Sequence, residues 1–175
     1  MVVDVGERLD ETIEPFVDGS HEASRQWFHR LKHLFEPDCR NQQEIAVDET
    51  KVEIDGEEVY VWAAVDCDTL EVLAVEVSPG RSSLDALLFL REVLKRCRGR
   101  PLVRADRGPW YDWSLELLDC DYERETWRNR SLIEAWFGIF KYRTRRFWHR
   151  FPHYSTTDST RSWLTAFAAL QNATV

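Results

Sequence analysis

The sequence predicts an α/β fold built on a mixed sheet, and three observations carry that expectation. Residues 44–77 read as extended segments rich in β-branched and aromatic residues, with an Asp55-Gly56 hairpin signal between the first two. Helical periodicity takes over after Ser82 and returns in later segments. Among those helices lies a short apolar run, Leu102 to Ala105, that ends on an acid.

Taken in order, residues 44–54 are the first strand, 59–65 the second and 70–77 the third, with Cys67 to Thr69 turning the chain between the last two. Pro79-Gly80 ends this meander. Ser82 or Ser83 caps a helix that runs to about residue 98, with Leu84, Leu87, Leu88, Leu90, Val93 and Leu94 as its core candidates. Gly99 and Pro101 stop it. Residues 102–105 form a strand, 110–118 a helix and 122–126 a strand. Asn129 caps a long helix through about residue 147, and residues 157–172 form a last helix burying Trp163, Leu164, Phe167 and Leu170. The order βββ-α-β-α-β-α-α is that of a ribonuclease H-like domain, assigned here to residues 44–175.

Residues 1–43 are assigned to a charged, helical N-terminal extension. Its best helix, 20–35, sets Trp27, Phe28, Leu31, Leu34 and Phe35 at helical spacing with Arg25, Arg30 and Lys32 between them. An amphipathic packing helix is the favoured reading, and the second helix of a partial helix-turn-helix stays open. Residues 37–43 read as a linker.

Composition excludes several classes. No apolar run approaches the roughly 20 residues that span a bilayer, and the first residues lack the pattern of a secretory signal, so no membrane partner and a cytoplasmic location are expected. Cys39, Cys67, Cys97 and Cys120 show no paired spacing and are expected to be buried free thiols rather than zinc ligands or disulfides. The net charge of −8 argues against nucleic acid until its distribution is considered. From Arg124 to His153 there are eight basic residues and two acidic ones, while the rest of the chain carries 15 basic and 29 acidic. Only four of the 23 basic residues are lysine, and an acidic, lysine-poor exterior suits work in high salt.

Three acids stand where such a fold brings them together. Asp48 follows Ile45-Ala46-Val47 in the first strand, Asp106 ends the fourth, and Glu134 sits in the first turns of the long helix. Each alone reads blandly, as a strand-end polar residue, a turn cap or a surface charge. Together they suggest a cage for a hard divalent ion, because a carboxylate in a central strand is costly to desolvate without a partner. Paired ions in such a cage can clamp both oxygens of an in-line phosphoryl displacement. A tight hairpin at Asp55-Gly56 sets Ala63 opposite Asp48 and leaves Asp66 and Asp68 as turn residues. Strand alternation points Glu49 to the other face.

The long helix adds a second signal. Leu132, Ile133, Trp136, Phe137 and Phe140 form its apolar stripe, while Glu134, Gly138, Lys141 and Arg145 share another azimuth. An acid, a bare backbone patch and two cations on one line suit a metal ligand followed by phosphate contacts; a solvated stripe is the alternative. Arg143, Arg145, Arg146 and Arg150, interleaved with Tyr142, Phe147, Trp148 and His149, extend the cationic track.

With these residues in view, Val47-Asp48-Glu49-Thr50, Ala64-Val65-Asp66, Ala105-Asp106, and Asn129-Arg130-Ser131-Leu132-Ile133-Glu134 with Lys141 resemble insertion-sequence DDE transposases. The sequence is most similar to the insertion-sequence-6 family, in particular its members from halophiles. The resemblance implies Mg²⁺ catalysis by Asp48, Asp106 and Glu134, with Mn²⁺ as a substitute, and DNA contact by Lys141. It also implies binding to terminal inverted repeats and target DNA by a homodimer or larger assembly. The Asp106 to Glu134 interval, with 27 intervening residues, is shorter than that family's. The N-terminal region is too short for a complete helix-turn-helix, which points to a truncated chain or another way of finding DNA ends. Two other functions fit the same acids: a ribonuclease H-like nuclease or resolvase, and a non-catalytic transposase-derived DNA-binding protein.

Overall fold

The Asp55-Gly56 turn is where the sheet begins. Asp55 has φ 51° and Gly56 φ 88°, the double left-handed backbone of the tight turn that matches strand twist. In this computed structural model, which describes residues 26, 30–37, 39–106, 108–124, 130–144, 150–151 and 155–174, that turn joins β1 (Glu44–Ile54) to β2 (Glu57–Asp66). Asp48 pairs with Ala63, the register the two-residue hairpin predicts. β3 (Val72–Ser78) adds to the far side of β2 antiparallel, and β4 (Leu102–Ala105) adds to β1 in parallel. β5 (Tyr122–Arg124) continues beyond β4, so the order is β3-β2-β1-β4-β5.

Among the described residues, four helices cover the sheet: α1 (Ser83–Leu94), α2 (Pro109–Leu117), α3 (Arg130–Thr144) and α4 (Thr157–Asn172). Ser82 caps α1 in a reciprocal box with Asp85, and Thr156 caps α4 in the same way with Ser159. Alternation along the strands sorts the core into two layers. Ile45, Val47, Trp62, Ala64, Val103 and Ala105 face Phe89, Leu90, Tyr111 and Leu115 of α1 and α2. Ala46, Val52, Ile54, Val61 and Ala63 face Ile133, Trp136, Phe137 and Phe140 of α3 and Leu164 and Phe167 of α4. β2 is buried from Val61 to Asp66, as expected of a central strand covered on both faces.

Phe140 is the keystone of the second layer. Its ring is fully buried, lies parallel to Trp136 at 5.9 Å, and meets Phe137, Trp163 and Phe167 at 6.2–6.3 Å. Phe140→Ala is expected to cost about 3–5 kcal/mol through the cavity it leaves. At this size that lowers Tm by about 10 °C, checked by thermal unfolding of the purified protein.

Several details differ from the sequence expectation. β3 starts at Val72 rather than residue 70, because Leu70 takes φ 63° in the turn and is exposed. α1 stops at Leu94, four residues early, and buries Ala86, Phe89, Leu90 and Val93, leaving Leu84 and Leu88 outside. A two-residue strand, β6 (Arg150–Phe151), pairs in parallel with Glu53 and Ile54 of β1 and was not anticipated. The cysteines are free thiols, yet only Cys120 is buried; Cys39 is exposed, and Cys67 and Cys97 are half-buried. Of the N-terminal helix, Gln26 and residues 30–34 lie within the described residues, with Leu31 and Phe35 buried and Leu34 exposed. The remainder of residues 1–29 lies outside them.

Candidate active site

The site forms where β1 loses a neighbour. β4 pairs with β1 only as far as Val47 and Ala105, and β6 resumes the pairing only at Glu53. Between those points one side of β1 is open among the described strands. Asp48 stands at the first open position and Asp106 is the residue after the end of β4. A bidentate bridge from Arg104 to Glu44, at 2.8 and 2.9 Å, and a further bond to Glu123 at 2.6 Å, bind the parallel strands just below.

Both aspartates are half-buried and oriented by backbone. Asp48 Oδ1 accepts from the Glu49 N–H at 2.9 Å, and Asp106 Oδ1 accepts from the Gly108 N–H at 2.8 Å. Carboxylate oxygens of Asp48, Glu49 and Asp106 all lie within 4.8 Å of one another. Glu49 is therefore a correction. Its side chain does leave β1 on the α1/α2 face, as alternation requires, where Tyr111 Oη donates to Oε2 at 2.8 Å and Arg81 lies 3.3 Å from Oε1. Because no described strand walls off this edge, its longer side chain still brings a carboxylate beside the aspartates. Burial pushes the Glu49 carboxyl above its usual range and the Asp106 charge adds to this, while Tyr111 and Arg81 oppose it.

Arg81, in the turn between β3 and α1, is held by aromatic faces. Its guanidinium lies 3.9 Å from the Trp110 ring centroid and 5.1 Å from that of Tyr60. Trp110 in turn packs over Gly108, where an added Cβ would fall inside the indole. Sequence reasoning set Glu49 aside and missed Arg81 and Tyr111. The available signal was an acid in a doubly covered strand, which requires a buried partner.

Glu134 is exposed on α3 and is not in the 4.8 Å cluster. Its helix packs through Ile133, Trp136, Phe137 and Phe140 on the face where Ala46, Val52 and Ala63 lie, and Asp48 shares their parity. Lys141 is exposed further along α3, and a Cβ added at Gly138 would meet nothing within 4 Å. Arg143 and Arg150 belong to α3 and β6, with side chains outside the described residues, and Arg145 and Arg146 lie wholly outside them. Asp66 and Asp68 are turn residues, as expected: Asp66 Oδ1 accepts from the N–H groups of Asp68 and Thr69.

A mixed sheet of this order, with one aspartate where β1 loses its parallel neighbour and another just past the end of that neighbour, is the arrangement of the ribonuclease H-like polynucleotidyl transferases. The model of the DDE domain of insertion-sequence transposases matches residues 42–174, and the chain belongs to that family. It is 35% identical over 161 residues to an uncharacterised protein of Methanocaldococcus jannaschii, covering 91% of this chain and 75% of that one. An uncharacterised protein of Aquifex aeolicus is 33% identical over 82 residues, covering 47% and 67%. Among solved structures, the HTLV-2 integrase catalytic core domain in complex with magnesium, in its dimeric form, aligns with TM-score 0.53 at 15% identity, covering 73% of this chain and 87% of that one. A chain of the simian T-cell lymphotropic virus intasome with PP2A regulatory subunit B56 gamma aligns with TM-score 0.56 at 16% identity. That alignment covers 78% of this chain, which spans half the length of the intasome chain. These likenesses show the shared fold.

Proposed function

We propose that this domain cleaves and joins DNA strands at the terminal inverted repeats of an insertion sequence, using Asp48, Asp106 and Glu134 around divalent metal. The observation that carries the proposal is the convergence of Asp48 and Asp106 at the open edge of β1, with Asp48 on the strand face against which α3 packs. The donor set fits Mg²⁺, since among the described residues the cluster offers only carboxylate oxygens and no softer sulfur or imidazole ligand. When bound, Mg²⁺ supplies charge stabilisation to the attacking and leaving oxygens of an in-line phosphoryl displacement, and Mn²⁺ is a reasonable substitute. The chain's own part is to fix the two aspartates through the Glu49 and Gly108 N–H groups and to present the exposed face of α3 to DNA.

Lys141, Arg143, Arg145, Arg146 and Arg150 are assigned to phosphate contact, with Gly138 leaving room for a close approach. Residues 44–175 are the catalytic domain and 1–43 an N-terminal extension. Assembly as a homodimer or larger complex, a cytoplasmic location and a high-salt setting complete the proposal. Among the described residues no helix is long and apolar enough to cross a membrane.

The test is a strand-transfer assay with a pre-cleaved inverted-repeat end and a plasmid target in Mg²⁺. Joined product is expected. Hydrolysis alone supports the nuclease or resolvase function instead, and binding without chemistry supports a non-catalytic DNA-binding protein. Affinity for the end is expected to fall steeply with salt as condensed counterions are released. Arg145→Ala or Arg146→Ala should each reduce the slope of log affinity against log salt by about one. An affinity indifferent to salt would remove the basic track from the interface.

A further inference from the structure

Three carboxylates crowd this edge, yet one is already committed. The Glu49 side chain is only 2% exposed, and each of its oxygens has a named partner, Arg81 on Oε1 and Tyr111 on Oε2. Arg81 is held in turn by the faces of Trp110 and Tyr60. Asp48 and Asp106 each accept an orienting bond from a backbone N–H. The geometry points to Arg81 and Tyr111 as a clamp that holds Glu49 out of the metal cage, making both of them positioning residues that keep the site to two strand-borne ligands. The inference rests on the proposed role of Asp48 and Asp106 as metal ligands.

The clamp has a chemical purpose. Mg²⁺ in phosphoryl-transfer sites is bound by one or two carboxylates and keeps its other positions for water and substrate oxygens. A third strand-borne carboxylate would tighten ion binding through added charge while filling a position that the DNA phosphate needs. The guanidinium suits the task, since its planar fork stays charged and stacks on rings as an ammonium cannot.

The test measures Mn²⁺ binding to the DNA-free protein by electron paramagnetic resonance, beside strand-transfer kinetics. Arg81→Ala is expected to bind Mn²⁺ about tenfold more tightly as Glu49 joins the ligand set, because affinity follows the number of charged ligands. The Mn²⁺ spectrum should change with it, and kcat should fall with KM for DNA nearly unchanged. Adding Glu49→Gln to Arg81→Ala should return the affinity and spectrum to those of the native protein. Tyr111→Phe and Arg81→Lys should give smaller shifts in the same direction, and a thermal melt run beside the binding measurement checks that each variant is folded. Two results overturn the proposal. One is tightening that persists with Gln at position 49, which would mean that only the net charge mattered. The other is a tenfold weakening in Glu49→Gln alone, which would make Glu49 a ligand already. Asp48→Asn serves as the control: if it retains native Mn²⁺ affinity, the ligand assignment of the aspartates fails, whatever the clamp does.

Discussion

Asp106→Asn is expected to abolish strand joining while leaving the fold and DNA binding intact. The substitution keeps the side chain's volume and the Oδ1 acceptor for the Gly108 N–H, so the turn into α2 should survive. What it removes is half of the strand-borne negative charge assigned to the metal, with Asp48 left alone within reach of Glu49. If the ions contribute several kcal/mol to the transition state, losing a ligand should lower the rate by about 10³-fold or more. The measurement is single-turnover strand transfer with a pre-cleaved end, beside an electrophoretic binding assay and a thermal melt. Asp66→Asn is the informative comparison, because Asp66 is a buried aspartate whose carboxylate caps its own turn and lies outside the carboxylate cluster. It should cost stability and leave the rate per folded molecule unchanged. Joining by Asp106→Asn at the native rate would remove Asp106 from the site.

The parts of the fold that depend on local pattern were legible in the sequence. The boundaries of β1, β4 and α4 follow from their apolar runs and stop signals. The Asp48–Ala63 pairing follows from a hairpin whose two residues must both take positive φ. The parts that depend on long-range packing were less legible. Leu84 and Leu88 have the right spacing for a core stripe, but α1 rolls to bury Ala86 and Phe89 instead, and no periodicity distinguishes those stripes. β6 is too short to give a pattern and exists only because β1 extends past β4.

The carboxylate site divides along the same line. Asp48 and Asp106 were visible because an acid after an apolar strand has to be explained. Glu49 was set aside because alternation describes where a Cβ points, and a glutamate at an open sheet edge can still bring its carboxylate back. Arg81 and Tyr111 were invisible for a different reason. They lie 32 and 62 residues from Glu49, and only the sheet topology brings them to it.

Glu134→Gln and Lys141→Ala should separate chemistry from binding on a single helix. Both side chains are exposed on α3, and neither belongs to the apolar stripe that seats the helix, so the fold should tolerate either change. Glutamine keeps the length of the side chain and removes the charge that would complete a metal site begun by Asp48 and Asp106. Cleavage and joining should fall by about 10³-fold or more, with DNA affinity close to native. Lys141→Ala leaves every carboxylate in place and removes one cation assigned to phosphate contact. Its affinity should fall modestly, the salt slope should decrease by about one, and joining at saturating DNA should be only partly reduced. The two variants are compared in Mg²⁺ and then in Mn²⁺, with binding and joining measured on the same preparations. Native joining by Glu134→Gln would exclude Glu134 as the third ligand and leave the two strand aspartates in need of another partner. An equal loss of affinity in both variants would instead make the exposed face of α3 a DNA-binding surface alone, with the chemistry confined to the edge of β1.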